Sequence, residues 1–131
     1  MEASGEEVKD IFQTISKRDI PAFKKQDGTL DVKRMLEVVG LKRKDIAGLF
    51  SVGVDSIRFD EKIPQEQVNF YFQLLSLCEH VADFFDGDIH KLETWFLIDN
   101  PELGFISPRN LIRKGRLAKL IDIVLANKSS D

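Results

Sequence analysis

Residue types that would indicate secretion, disulfide cross-linking or membrane insertion are scarce in this sequence. Cys78 is the only cysteine among the 131 residues, so no disulfide can form within the chain. A lone cysteine agrees with a reducing cytoplasm, which is the compartment we expect. No apolar run approaches the ~20 residues that a membrane-spanning helix needs. The acidic, polar start MEASGEEVKD is not expected to be a signal peptide, and no membrane partner is expected.

Groups typical of catalysis, metal binding and phosphate binding are also scarce. His80 and His90 lack a neighbouring serine or cysteine nucleophile pattern. His80 with Cys78 and Asp83 lacks the paired spacing of a zinc site, and the glycines form neither GxGxxG nor a Walker pattern. The sequence therefore predicts a protein that is not an enzyme, with no cofactor or metal and with both histidines in structural or surface roles.

The apolar residues that are present recur at helical spacing and show no alternating strand pattern, so the predicted fold class is all-α. Caps and breakers place the helices at residues 6–18, 30–39, 42–50, about 54–59, 64–85, 89–98, a short stretch after Ser107, and about 115–126. The predicted architecture is a helical bundle with a degenerate helix-turn-helix in residues 1–64, followed by a small helical domain in residues 65–131.

The long predicted helix over residues 65–85 is apolar on more than one face, with Phe70, Phe72, Leu74, Leu75 and Leu77. A short chain has few neighbours to cover such a helix, so the sequence predicts self-association, most simply as a homodimer. The alternative is that the first predicted helix, residues 6–18, covers it within one chain.

Residues 42–59, KRKDIAGLFSVGVDSIRF, have the form of a helix-turn-helix with its turn at residues 51–53. A recognition helix needs several polar or basic side chains that face base edges, and this one offers few. Residues 60–102 also carry ten acidic against two basic side chains, which disfavours nucleic acid. DNA binding by the free protein is therefore predicted to be weak or absent. Its candidate contacts are Lys42, Arg43, Lys44, Ser56 and Arg58.

Residues 95–115, WFLIDNPELGFISPRNLIRKG, predict a compact helix–loop–helix with large apolar residues in the loop. Pro101 and Pro108 lack amide hydrogens and suit loop and first-turn positions. Trp95 is expected to anchor the core, whereas the loop residues either form an exposed interface or fold back onto Trp95. An apolar centre with arginines at its rim is typical of a protein interface. The predicted partner-binding residues are Leu97, Ile98, Asn100, Phe105, Ile106, Arg109 and Arg113.

This segment resembles the toxin-binding domain of the Xre/MbcA/ParS antitoxins in the spacing of Trp95, Asn100, Leu103, Gly104, Pro108 and Gly115. The resemblance is good over residues 90–125, fair over residues 68–85 and weak before them. Residues 42–59 are similar to the helix-turn-helix that precedes the domain in this family. The sequence departs from the family's usual residues at Phe96, Asp99, Phe105 and Arg109, and a second glycine is common where Phe105 stands.

The resemblance implies a bacterial antitoxin of a type II toxin–antitoxin pair. Its partner would be a RES-domain toxin that consumes NAD, which the antitoxin binds and occludes without chemistry of its own. A toxin that holds a phosphate-bearing dinucleotide would have a basic cleft, so Asp99, Glu102 and Asp131 are the expected acidic contacts. Residues 127–131 are expected to be a polar, flexible tail that reaches the toxin. The alternatives are a DNA-binding transcriptional regulator without a toxin partner and a non-enzymatic protein-binding adaptor.

Overall fold

The computed structural model of the protein describes residues 20–60 and 62–129. These residues are helical and contain no named strand, which confirms the all-α prediction. The α-helices are α1 (Val32–Val39), α2 (Arg43–Phe50), α3 (Gln65–Phe84), α4 (Ile89–Leu97), α5 (Pro108–Arg113) and α6 (Leu117–Ser129). None of them is both long enough and apolar enough to cross a membrane. The predicted helix over residues 6–18 and the predicted contact Asp131 lie outside the described residues.

Local capping chemistry sets most helix boundaries where the sequence predicts them. Gly40 ends α1 in the left-handed region at φ +87°. The Asp88 carboxylate begins α4 by accepting hydrogen bonds from the amides of His90 and Lys91, and Ser107 caps α5 through the amide of Asn110. Because each cap satisfies an amide or carbonyl that the helix itself leaves unpaired, these signals act over a few residues and can be read from sequence.

The predicted helix over residues 54–59 is wrong, because only Val54–Ser56 form a single 3₁₀ turn. The Ser56 hydroxyl donates to the Gly53 carbonyl oxygen at 2.7 Å, and Ile57 continues in an extended conformation with 3% of its surface exposed. So short a helix gains few hydrogen bonds against its nucleation cost, and the burial of Ile57 in the core decides the backbone path. Residues 42–59 thus hold one α-helix, not the two of a helix-turn-helix.

One hydrophobic core includes residues from both sides of position 64, with Met35, Leu74, Leu92, Ile112 and Leu120 all fully buried. Helix α1 packs against α4, α3 packs against α6, and α5 contacts both α4 and α6. Each such side chain contributes ~1.5–3 kcal/mol by leaving water. The division into residues 1–64 and 65–131 stays a prediction about chain segments, and the packing of α1 on α4 joins the two.

The five apolar residues of α3 on which the homodimer prediction depends, including Phe72, are all buried or half-buried. Leu74 and Leu77 are fully buried within the chain, and Phe70 and Leu75 are half-buried against the same core. Phe84, in the last turn of α3, keeps 49% of its surface exposed. Much of the broad apolar arc is therefore covered by the chain itself, and the homodimer remains a prediction.

Candidate protein-interaction site

The loop between α4 and α5 is held in shape by its own backbone. The Asn100 amide donates to the Ile106 carbonyl at 3.1 Å, and the Phe105 amide donates to the Asn100 carbonyl at 3.0 Å. The Asn100 side chain accepts a hydrogen bond from the Glu102 amide at 2.9 Å and caps the 3₁₀ turn Pro101–Leu103. Pro101 and Pro108 occupy first-turn positions, as predicted. The loop therefore has a defined conformation that its own hydrogen bonds maintain.

Phe105 is the most unusual residue of this loop. Its backbone lies in the left-handed region at φ +63°, where a residue with a side chain costs ~1–2 kcal/mol relative to the ordinary regions. Its side chain nevertheless stays 72% exposed, so no burial within the described chain offsets that cost. A strained backbone that presents a large aromatic side chain to solvent is typical of a binding residue.

The other apolar residues of the predicted interface differ in their exposure to solvent. Ile98 is 58% exposed and Leu97 is 43% exposed at the end of α4, where Leu97 lies near Gly40 and Ile98 lies in a cleft beside Trp95. Ile106 instead packs half-buried against the core. The alternative in which the loop folds back thus holds for Ile106 and fails for Ile98, Leu97 and Phe105.

The core residue of α4 is Phe96, whereas Trp95 is only half-buried. Phe96 has no exposed surface, and the Trp95 ring packs edge-on against it with centroids 5.0 Å apart. Leu92 is also fully buried, and its spacing of four residues from Phe96 puts both on one helix face. Trp95, predicted to anchor the core, does pack against it, although only half-buried. Sequence reasoning missed the fully buried Phe96, which the i, i+4 pair Leu92–Phe96 could have indicated.

Arg109 and Arg113 extend toward the N-terminal helices. Arg113 Nε lies 3.3 Å from Asp45 Oδ1 in the first turn of α2, and the Arg109 side chain lies over Gly40 at the end of α1. The basic triplet Lys42, Arg43 and Lys44, all exposed, begins at this same place. The predicted partner contacts Arg109 and Arg113 therefore reach residues 40–45, the segment that contains the predicted DNA contacts Lys42, Arg43 and Lys44, and sequence spacing does not reveal this.

Ser56 and Arg58, the other candidate DNA contacts, do not lie on a helix with that triplet. The Arg58 guanidinium binds the Asp60 carboxylate at 2.6 Å and holds the pKa of Asp60 down to about 2. Ser56 is engaged with Gly53 in its own 3₁₀ turn. The Arg43 guanidinium lies 5.1 Å above the Phe59 ring, which fixes the segment after the turn beside the start of α2.

The predicted acidic contacts and tail are partly tied into the fold. Asp99 is exposed, whereas Glu102 accepts a hydrogen bond from the Asn127 amide group at 3.0 Å. Lys128 donates to Asp83 at 2.8 Å. The expectation of a flexible tail is corrected for Asn127 and Lys128, which belong to α6 and hold it to the loop and to α3. Residues 130 and 131 of the predicted tail lie outside the described residues.

Two titratable groups of α3, Cys78 and His80, are buried. Lys128 Nζ lies 2.8 Å from Nδ1 of the buried His80, and burial, with Lys128 as a second cause, lowers the pKa of His80. Cys78 is fully buried, which raises the pKa of its thiol. In residues 20–60 and 62–129 no group of three or more His, Cys, Asp or Glu side chains is placed to hold a metal ion.

No family model matches the chain, and neither a curated protein nor a solved structure matches it significantly. The resemblance to the antitoxins therefore rests on the motif residues between positions 90 and 125. What supports a function is that resemblance together with the geometry of the Phe105 loop.

Proposed function

We propose that this protein is a cytoplasmic antitoxin of a type II toxin–antitoxin pair, which inhibits its toxin by binding and occluding it. The class of partner, a RES-domain toxin that consumes NAD, follows from the resemblance alone. The observation that carries the proposal is Phe105, which a rigid loop holds in a left-handed conformation with 72% of its surface exposed. The chain supplies no chemistry in this proposal.

In the proposed complex Phe105 is the anchor that enters a pocket of the toxin. Ile98 and Leu97 extend the apolar centre, and Asp99 and Glu102 supply carboxylates toward a basic cleft. Arg113 is already positioned by Asp45, so little side-chain freedom is lost when it contacts the partner. Aromatic anchors in the centre and arginines near the rim are the residues that dominate the affinity of protein interfaces.

The proposal is tested by co-expressing the protein with the product of its neighbouring reading frame and measuring growth, cellular NAD and co-purification. Wild-type protein should restore growth and NAD, and Phe105→Asp should weaken binding by more than ~2 kcal/mol. Phe105→Gly is the sharper variant, because glycine accepts φ +63° without strain. It should lose most of the affinity while leaving the free energy of unfolding unchanged or higher.

Val54→Ser is the matched control, since Val54 is an exposed apolar residue (44%) outside the loop, and it should bind as wild type does. Retention of the partner by Phe105→Asp would place the interface elsewhere. A Phe105→Gly variant that loses stability would show that Phe105 supports the fold instead. A neighbouring product that binds but has no effect on growth or NAD would favour the adaptor alternative.

The exposed cations Lys42, Arg43 and Lys44 favour a DNA-binding regulator as the second candidate. Cations at the start of α2 suit phosphate contacts, although this segment lacks a second helix to read bases. A titration of the free protein with its own upstream DNA separates the two candidates. Nanomolar, sequence-selective binding would favour the regulator, whereas weak binding with a steep salt dependence would agree with the antitoxin proposal.

A further inference from the structure

Two adjoining clefts share Phe85, Trp95 and Asn100 in their walls, and we call them together the Trp95 cleft. One, of about 170 Å³, extends toward α6 and is also lined by Phe84 and Leu103. The other, of about 330 Å³, extends past Ile98 at the end of α4. Phe105 and Phe84 separate this surface from the proposed antitoxin interface, because Phe105 lines neither cleft and Phe84 is not part of that interface. Ile98, Asp99 and Glu102 belong to both surfaces.

The walls of the Trp95 cleft contain large apolar side chains that are exposed to solvent. Phe84 is 49% exposed and Ile98 is 58% exposed, at its two ends, and Trp95 between them is half-buried. Its polar groups are largely engaged with one another, because Asn100 bonds the Glu102 amide and Glu102 bonds Asn127. Small-molecule sites usually offer several convergent polar groups, so the cleft is better suited to an apolar side chain.

The charge around the cleft has one dominant sign. Residues 83–102, which supply most of its walls, contain six acidic side chains and one lysine. Of these, Asp99, Glu102 and the lysine, Lys91, line the cleft. Lys128 lies 5.9 Å from the centre of the Phe84 ring and is bound to Asp83. An apolar cleft with an acidic rim complements an apolar anchor with basic neighbours.

We propose that the Trp95 cleft is a docking site for a cationic segment of a partner protein, in which lysines or arginines flank one aliphatic or aromatic anchor. The anchor occupies the space beside Trp95, and the flanking cations lie over the acidic rim. This inference goes beyond the proposed function, because it holds whether the protein bound at Phe105 is a toxin or another partner.

Trp95 is the only tryptophan in the chain, so its fluorescence reports directly on the cleft. The probe is a synthetic, tryptophan-free peptide in which lysines flank one phenylalanine, titrated into the full-length protein. Two matched peptides replace the phenylalanine by alanine or the lysines by glutamates. We expect a saturable change in emission with the first peptide and binding at least about tenfold weaker with each of the other two.

Substitutions in the cleft walls test whether the peptide binds in the Trp95 cleft. Ile98→Ser and Phe84→Ser should each weaken the phenylalanine peptide about fivefold or more, and Val54→Ser, with similar exposure outside the cleft, should not. Phe105→Gly should leave peptide binding unchanged, so failure here and failure of the antitoxin proposal are distinguishable.

Several results would overturn the inference. If the alanine peptide binds equally well, the binding is nonspecific charge attraction and needs no apolar anchor. If the glutamate peptide binds equally well, the partner segment need not be cationic. Emission of the protein alone that changes with its concentration would show a second copy in the cleft. A Phe12→Ser substitution that changes Trp95 emission without peptide would identify the chain's own N-terminal segment as the occupant.

Discussion

Gly40 lies where the end of α1 meets side chains from α4 and α5. Its φ is +87°, and a Cβ at this position would lie 2.8 Å from both Leu97 Cδ2 and Arg109 Cδ. Any other residue therefore faces a backbone cost and a steric cost together. Because Leu97 and Arg109 both belong to the predicted interface, the glycine also controls how those side chains lie before a partner arrives.

Gly40→Ala is expected to lower the free energy of unfolding by ~2–3 kcal/mol in denaturant titrations, from the left-handed backbone and the crowded Cβ combined. Gly28→Ala is the matched control, because Gly28 has the same φ of +87° and its Cβ position lies more than 4 Å from the side chains and distant backbone of residues 20–60 and 62–129. The control should lose only ~1 kcal/mol. Equal losses at the two positions would mean that Leu97 and Arg109 move aside without cost.

His80 should make stability depend on pH in a defined direction. Burial and the adjacent Lys128 lower its pKa, against an opposing effect of Asp83. The unfolded chain, with a histidine pKa of ~6.5, then binds more protons than the folded one, so stability falls as the pH drops below ~6.5. His80→Gln should flatten the change in unfolding free energy between pH 7 and pH 5, whereas His90→Gln, at an exposed position, should not. An unchanged profile in His80→Gln would assign the pH dependence to other groups.

At the scale of single elements, α5 depends on its cap more than the longer helices do. It has six residues, far below the ~12–15 that make an isolated helix even marginal. Ser107 is 1% exposed, and its hydroxyl oxygen accepts from the Asn110 amide at 3.1 Å. This cap orients the helix that carries Arg109 and Arg113.

Ser107→Ala should therefore lower the free energy of unfolding by ~1–2 kcal/mol, because the Asn110 amide loses its acceptor in a buried position. Ser107→Gly should cost less than Ser107→Ala, since glycine is the better residue at a helix N-cap. Both values come from denaturant unfolding of the full chain. A Ser107→Ala variant as stable as wild type would show that a water molecule or another group replaces the hydroxyl.

The elements that the sequence predicts correctly are those whose boundaries depend on neighbours in the chain. Gly40, Asp88 and Ser107 act within three residues, so α1, α4 and α5 begin or end where expected. The error at residues 54–59 has a tertiary cause, since the burial of Ile57 overrides local helix preference. A single sequence does not show which distant surface will cover a given isoleucine.

In the candidate site, too, some features could be predicted from the sequence and others depend on contacts between distant parts of the chain. The exposure of Phe105 could be anticipated, because a tight loop holds more large apolar residues than one interior can take. The contact of Arg113 with Asp45 could not, since the two residues are brought together only by the packing of the helices. The sequence likewise predicts Asn127 as part of a flexible tail. In the structure its hydrogen bond to Glu102, 25 residues away, holds it against the fold.

At the scale of the whole molecule, folding rearranges the charge pattern of the chain. Asp99 and Glu102 line the Trp95 cleft. Lys42, Arg43 and Lys44 are exposed at the start of α2, and Arg113 contacts Asp45 in the first turn of that helix. Surfaces of opposite sign allow a protein partner and a nucleic acid to be discriminated by electrostatic steering.

The predicted homodimer is tested by sedimentation across micromolar concentrations. The measured mass should be that of a dimer if α3 pairs with a second copy, whereas a constant monomer mass would exclude the dimer.

Two deletions in α6 and the residues after it separate the proposed inhibition of a toxin from stability. Removing residues 127–131 deletes the bonds of Asn127 to Glu102 and of Lys128 to Asp83, so it should lower the free energy of unfolding by ~1–2 kcal/mol. Removing residues 129–131 keeps both bonds. If the end of the chain reaches the toxin's active site, the shorter deletion should weaken inhibition more than binding at unchanged stability. Full inhibition after the shorter deletion would instead assign occlusion to the Phe105 loop alone.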